Sequence, residues 1–224
     1  MCGRYSLFTD YAVLIERFDI EETTVSQEAY QANYNVAPSQ QVLAIVNDGE
    51  KNRLGQLKWG LIPPWAKDAK IGYKMINARS ETVEEKPSFR NAFKKKRCLV
   101  IADSFYEWQK KEGQKIPMRI KLKTGEPFAF AGLWESWKSP DGETITSCTI
   151  LTTGPNVLMA SIHDRMPVIL TKQDEQIWLD PRIDDMKTVK ALLKPYKALD
   201  MEAYPVSEQV NSPKNNYPEL IDRV

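Results

Sequence analysis

Residue 2 is a cysteine, directly behind the initiator methionine and followed by Gly3-Arg4. With Met1 removed, it carries an α-amine and a thiol on neighbouring carbons, a pair that no internal cysteine has. The amine titrates at about pH 8, so part of it is neutral at physiological pH. It can condense with an aldehyde, and the thiol can then close onto the imine to give a five-membered thiazolidine. The thiol is a stronger nucleophile once ionised. Position alone leaves open that residue 2 is merely permissive.

Three other segments hold groups suited to proton transfer or positioning. His163, the only histidine of the chain, lies in Ser161-Ile162-His163-Asp164-Arg165-Met166-Pro167. A lone histidine excludes a multi-histidine metal site, and its near-neutral titration suits acid/base work. It reads equally as a hydrogen-bonded loop residue, with Asp164 beside it to tune or orient. Glu107, in Phe105-Tyr106-Glu107-Trp108, is flanked by aromatics that could desolvate it and raise its pKa. A solvent-facing glutamate on an alternating strand is the plain alternative. Asn77 and Arg79, two residues apart, share one face if their segment is extended. An amide there could orient an opened sugar, and a guanidinium could clamp a phosphate.

Basic residues are dispersed over Arg4, Lys67, Lys70, Lys74, Arg79, Arg90 and Arg165, with one run, Lys94-Lys95-Lys96-Arg97, that reads as a solvated face. Trp59, Trp65 and Phe105 could wedge or stack against bases around a groove. Gly60-Leu61-Ile62-Pro63-Pro64-Trp65 reads as a rigid loop holding such an aromatic. No phosphate-binding glycine loop, zinc-finger spacing, two-metal carboxylate cluster or serine-hydrolase elbow is present, so neither metal nor cofactor is expected.

The elements that must position these groups are short. Strand-like runs at 41–46, 54–61, 97–101, 117–122, 128–133 and 144–151 are joined by turn chemistry at Asn47-Asp48-Gly49, Lys111-Glu112-Gly113, Thr124-Gly125-Glu126 and Pro140-Asp141-Gly142. Thr9 reads as the cap of a helix over 10–18. Thr171 caps another, with Asp174 in a capping-box-like place, and Asp184 opens a third through 193. Residues 156–161 suit a short helix. Many short strands with brief helices predict an α+β fold, a mainly antiparallel barrel or sandwich-like core with peripheral helices. The polar stretch 80–96 reads as a surface excursion, and 211–224 as a loop or tail packing on or leaving the core.

With 224 residues, 42% hydrophobic and 27% charged, the chain is sized for a single soluble domain, 1–224. Its net charge of +1 argues against histone-like coating of nucleic acid but not against a local basic groove. No apolar run approaches the roughly 20 residues of a membrane span, and no secretory pattern opens the chain. Three cysteines make no complete disulfide set. Cys98 and Cys148 lie in apolar runs and read as core thiols, so a reducing, cytoplasmic setting is expected.

Taken in order, Met1-Cys2-Gly3-Arg4-Tyr5, Tyr34-Asn35-Val36-Ala37-Pro38, Trp59-Gly60-Leu61-Ile62-Pro63, Asn77-Ala78-Arg79-Ser80-Glu81-Thr82, Arg97-Cys98-Leu99, Phe105-Tyr106-Glu107-Trp108, Thr152-Thr153 and the segment from Ile162 to Leu170 resemble the SRAP family of abasic-site processing proteins. The likeness runs over essentially the whole chain. It implies a thiazolidine crosslink between Cys2 and the ring-opened aldehyde of an abasic site in single-stranded DNA. It assigns Asn77 to positioning the sugar, Glu107 to proton transfer, and His163 to ring opening and crosslink chemistry. Arg4 and Arg79 would hold flanking phosphates, with Arg165, Trp65 and Phe105 completing the DNA contacts. It further implies loss of Met1, by an aminopeptidase or by the protein's own chemistry, some lyase activity, and a monomer that joins the nucleoid on damaged DNA. The family's frequent Asp-Gly before Tyr-Glu-Trp reads Asp103-Ser104 here, which is harmless if that backbone is not left-handed. Two other readings stay open: an N-terminal-nucleophile amidohydrolase using the Cys2 amine as base, and a non-covalent single-strand binder for which Cys2 is dispensable.

Overall fold

The computed structural model describes residues 2–224. Its larger sheet runs in the spatial order β12 (Met166–Pro167), β11 (Thr144–Thr153), β10 (Phe128–Lys138), β7 (Arg97–Ala102), β4 (Gln41–Asn47), β5 (Asn52–Trp59) and β2 (Glu22–Thr23), with β6 (Asn77–Arg79) on the edge of β11. Strand β11 also meets β5 in parallel, Cys148 opposite Trp59, which closes β11, β10, β7, β4 and β5 into a small barrel. The second sheet is antiparallel, in the order β13 (Met201–Pro205), β9 (Gln114–Leu122), β8 (Ser104–Lys111), β1 (Tyr5–Leu7) and β3 (Asn33–Val36). The α+β fold with a mainly antiparallel barrel is therefore as expected.

The barrel follows from the sequence. All six residues of β7 are buried, as a strand covered on both faces requires. Opposite it, Gly132 of β10 lets Cys98 approach: a Cβ at that position would stand 2.9 Å from the Cys98 sulfur. Cys98 and Cys148 are both fully buried thiols. The turns at Asn47-Asp48-Gly49, Lys111-Glu112-Gly113 and Pro140-Asp141-Gly142 close the β4–β5, β8–β9 and β10–β11 hairpins. Thr124-Gly125-Glu126 instead passes the chain from the smaller sheet to the larger, because β9 pairs with β8 and β13 while β10 pairs with β7 and β11.

Among the described residues four short α-helices flank the sheets: α1 (Tyr11–Arg17), α2 (Arg90–Lys95), α3 (Lys172–Leu179) and α4 (Met186–Ala191). Thr171 caps α3 as expected, its hydroxyl accepting from the Asp174 amide at 3.2 Å. At α4 the capping carboxylate belongs to Asp185 rather than Asp184. Thr9 is no helix cap. Its hydroxyl and amide, with the Phe8 amide, all donate to buried Asp103 at 2.5–2.8 Å, which pins the exit of β1. A nearby acceptor bearing full charge outcompetes the weaker cap.

The stretch 80–96 is no surface excursion. Ser80, Val83, Phe89, Ala92 and Phe93 are buried, and α2 packs on β10 and β7. Its apolar residues are too widely spaced to show a clear period. Arg97, at the end of the basic run, is buried rather than solvated. Its guanidinium donates to the carbonyls of Phe93, Lys94, Trp178, Asp180 and Ile183, gathering the C-terminal ends of α2 and α3. The segment 211–224 lies on the smaller sheet: Leu220 is buried beside Val206, Val210, Tyr106 and Tyr204, and Val206 bridges to Arg223. No helix among the described residues is long and apolar enough to cross a membrane.

Candidate active site

The pairing of β1 with β8, Tyr5 opposite Phe105, carries residues 2–4 along the strand that holds Glu107. The Tyr106 amide donates to the Arg4 carbonyl at 2.9 Å and fixes that path. Cys2 is wholly buried, its sulfur 3.9 Å from the Arg4 carbonyl oxygen. Burial raises its thiol pKa far above the ordinary range, and the charge of Glu107 pushes the same way. The resting group is thus a neutral thiol. Met1 and its removal lie outside the described residues.

Glu107 is 3% exposed. Desolvation raises its pKa, and His163 opposes that rise. The two side chains meet with His163 Nε2 3.9 Å from a Glu107 carboxylate oxygen. The other imidazole nitrogen, Nδ1, lies 3.0 Å from the Arg165 amide and 2.9 Å from Asp164 Oδ1. Gln109, two residues beyond Glu107 on β8, donates to the Ser161 carbonyl at 2.8 Å and ties this strand to the histidine loop. Cys2 and His163 therefore both neighbour Glu107, an acid held toward its protonated form that faces the imidazole on one side and influences the cysteine on the other.

Asn77 and Arg79 lie on β6, paired with Ile150 and Thr152 of β11. The Asn77 amide makes a long 3.4 Å bond to the Ile150 carbonyl, while its Oδ1 is buried with no hydrogen-bond partner among the described residues. Leaving a buried carbonyl oxygen unmatched costs about 1–3 kcal/mol, an arrangement that invites a donor from a ligand. Arg79 is exposed. Arg165 is held: its guanidinium makes a bidentate pair with Glu81 at 2.6 and 2.9 Å and donates to the Thr152 carbonyl at 2.7 Å. Arg4 is half-buried and donates to Asn35 Oδ1 at 2.8 Å and the Val210 carbonyl at 2.6 Å.

Of Trp59, Trp65 and Phe105, only Trp65 keeps an open face, at 57% exposed, whereas Trp59 and Phe105 are core. Phe105 packs edge-on against Phe130 at 6.1 Å, so it offers no surface to a base. Strand β8 is buried on both faces at that point, a condition invisible in its alternation. The loop carrying Trp65 is held rigidly. Gly60, at φ +131°, passes so close to Gly72 that a Cβ would come within 2.6 Å of its carbonyl oxygen. Trp137 donates from its indole to the Ala66 carbonyl at 2.7 Å. Trp65, Lys67, Lys70, Ile71 and Lys74 line an open, mostly apolar groove.

Two residues central to this geometry gave no signal of their own in the sequence. Asn35, buried in β3, donates to the Ser212 and Asn215 carbonyls at 2.9 Å each and accepts from Arg4, so it links the N-terminal segment to the tail. Glu81 gains its meaning only through Arg165, 84 residues away. Ser104 has no positive φ, so serine is accommodated. It shares a 2.6 Å hydroxyl bond with Ser6 and accepts from Arg119 at 2.9 Å. Among the described residues no group of His, Cys, Asp and Glu is arranged to hold a metal ion.

Residues 1–213 match the family model described as SOS response associated peptidase (SRAP). The chain is 60% identical over 223 residues to the abasic site processing protein YoqW of Bacillus subtilis (strain 168), covering 99% of each protein. It is 34% identical over 226 residues to the abasic site processing protein HMCES of Xenopus tropicalis, covering 87% of this chain and 67% of that protein. A crystal structure of a protein from Bacteroides thetaiotaomicron superposes with a TM-score of 0.90 at 29% identity over the whole of both chains. The chain belongs to the SRAP family.

Proposed function

We propose that this protein processes abasic sites in DNA by capturing the lesion covalently at its own N-terminus. The observation that carries the reading is the cluster at the start of β1: buried Cys2, the desolvated acid Glu107 and His163 3.9 Å from it. The names of the relatives, abasic site processing proteins, supply the substrate class.

The chemistry starts after Met1 has left, whether through an aminopeptidase or through the same site. An abasic sugar rests mainly as a closed hemiacetal. His163 and Glu107 open it by moving a proton from the C1′ hydroxyl to the ring oxygen. The neutral amine of Cys2 adds to the C1′ aldehyde, and Glu107 protonates the departing hydroxyl, so water leaves and an imine forms. The Cys2 sulfur then adds to C1′ while its proton passes to the nitrogen. One water is lost overall, and the thiazolidine removes the imine before β-elimination can cut the strand. A neutral thiol suits this last role: the amine leads, and the thiol closes. Asn77 orients the opened sugar through its unmatched Oδ1. Strand cleavage, where it occurs, is elimination from an imine left unclosed.

Single-stranded DNA is the substrate form, since a strand without a partner bends sharply and needs no base pair broken. Arg79 takes a flanking phosphate. Arg4 has only its Nη1 committed, to Asn35 and the Val210 carbonyl, whereas Arg165, with both terminal nitrogens engaged, can contact phosphate only by sharing or exchanging its present partners. Trp65 fills the gap left by the missing base, with Lys67, Lys70 and Lys74 beside the backbone. The protein works as a monomer in the cytoplasm and joins the nucleoid on damaged DNA. Incubation of the demethionylated protein with an abasic single-stranded oligonucleotide tests the proposal. Intact mass should show the sum of protein and oligonucleotide less one water, stable to heat. Absence of any adduct would end it.

A further inference from the structure

We propose that Glu81 is a positioning residue: through Arg165 it sets which nitrogen of His163 carries the proton. Two contacts at Nδ1 demand opposite protonation states. The Arg165 amide at 3.0 Å can only donate, so it requires a bare Nδ1. The Asp164 carboxylate at 2.9 Å can only accept, so it requires Nδ1–H. Asp164 is 88% exposed, and a contact so solvated adds little. The amide sits in a part-buried loop and is held there by its own side chain. The Arg165 guanidinium is fixed on three sides, by both oxygens of Glu81 and by the Thr152 carbonyl.

The amide therefore wins in neutral His163, and the proton resides on Nε2, which faces Glu107. That arrangement aims a donor toward the carboxyl group with which His163 is proposed to open the sugar. Loss of the Glu81 carboxylate releases the guanidinium, frees the Arg165 amide from its fixed position, and lets Asp164 draw the proton to Nδ1.

Because His163 is the only histidine in the chain, one pair of imidazole nitrogens appears in a long-range 1H–15N spectrum, with no assignment problem. In the unmodified protein at a pH where His163 is neutral, Nδ1 should resonate as a bare nitrogen and Nε2 as a protonated one. In Glu81→Gln the two signals should move toward each other or exchange places, while Glu81→Asp should hold the original pattern. Glu81→Gln combined with Asp164→Ala should restore it, since the competing acceptor is then gone. Arg165→Lys, which keeps the charge but loses the bidentate grip, should reproduce the Glu81→Gln spectrum. An unchanged spectrum in both Glu81→Gln and Arg165→Lys would overturn the inference, as would failure of the double variant to restore it. The kinetic counterpart rests on the proposed function: adduct formation should slow about tenfold in Glu81→Gln, on the scale of one lost hydrogen bond to a charged group, and recover in the double variant. If the unmodified protein forms no adduct, the capture reading fails while the tautomer result stands by itself.

Discussion

Replacing Glu107 with glutamine keeps shape and removes the titrating proton, so it probes stability and chemistry together. Glu107 is 3% exposed, and burial raises its pKa. The folded protein therefore holds this proton more tightly than the unfolded chain does. For such an acid the favourable contribution is complete below the unfolded value of about 4.3 and is lost as pH rises through the folded value. Every unit of elevation corresponds to about 1.4 kcal/mol of stability lost across that window. Attraction to a protonated His163 at 3.9 Å works against the loss; the bare Coulomb figure at an effective dielectric of 20 is about 4 kcal/mol before desolvation is counted. The elevation in the presence of that attraction means that desolvation prevails.

Glu107→Gln should accordingly flatten the fall in Tm between acidic and neutral pH and raise Tm at pH 8. A gain of 1 kcal/mol is worth about 2–4 °C in a domain of this size. Thermal melts of both proteins from pH 4.5 to 8 measure it. Adduct formation with an abasic single strand, followed by gel over time, should slow by about a hundredfold, the lower range for a lost general acid. A variant less stable at pH 8 with the original pH slope would refute the claim that Glu107 is destabilised as an anion. Unchanged adduct kinetics would remove it from the chemistry.

Cys2→Ser retains the amine and should still give an adduct that borohydride traps, but one that hydrolyses on heating; an equally heat-stable adduct would rule out ring closure by sulfur. Asp103→Ala removes the acceptor of three hydrogen bonds at the exit of β1 and should destabilise by about 2–4 kcal/mol in urea melts, since a buried charged acceptor holds them. Trp65→Ala should leave urea melts within about 0.5 kcal/mol, because the ring is exposed, yet weaken single-strand binding by about 1–3 kcal/mol in fluorescence anisotropy. Phe105→Ala should do the reverse, losing about 3–5 kcal/mol of stability from the core.

The sequence disclosed its chemistry better than its supports. Cys2, Glu107 and His163 carry distinctive reactive groups in distinctive neighbourhoods, and the structure gathers them although 161 residues separate the first from the last. Hairpins were legible wherever a glycine turn joins two strands of one sheet. The turn at Gly125 looks the same locally, yet it joins two sheets, because pairing is decided by partners far along the chain. The burial of 80–96 escaped notice for a related reason: Val83, Phe89 and Phe93 follow no single period. Arg97 and Asn35 were harder still. Polar side chains that satisfy distant carbonyls leave no local pattern, and their roles exist only once the helix ends and the tail have arrived.

The burial of Cys2 has a consequence for durability. Thiolates that solvent can reach attack peroxides and disulfides and are oxidised in doing so. A neutral sulfur with no exposed surface offers them neither the charge nor the access. On the capture chemistry proposed above, a residue that waits for a rare aldehyde is thereby kept from spoiling.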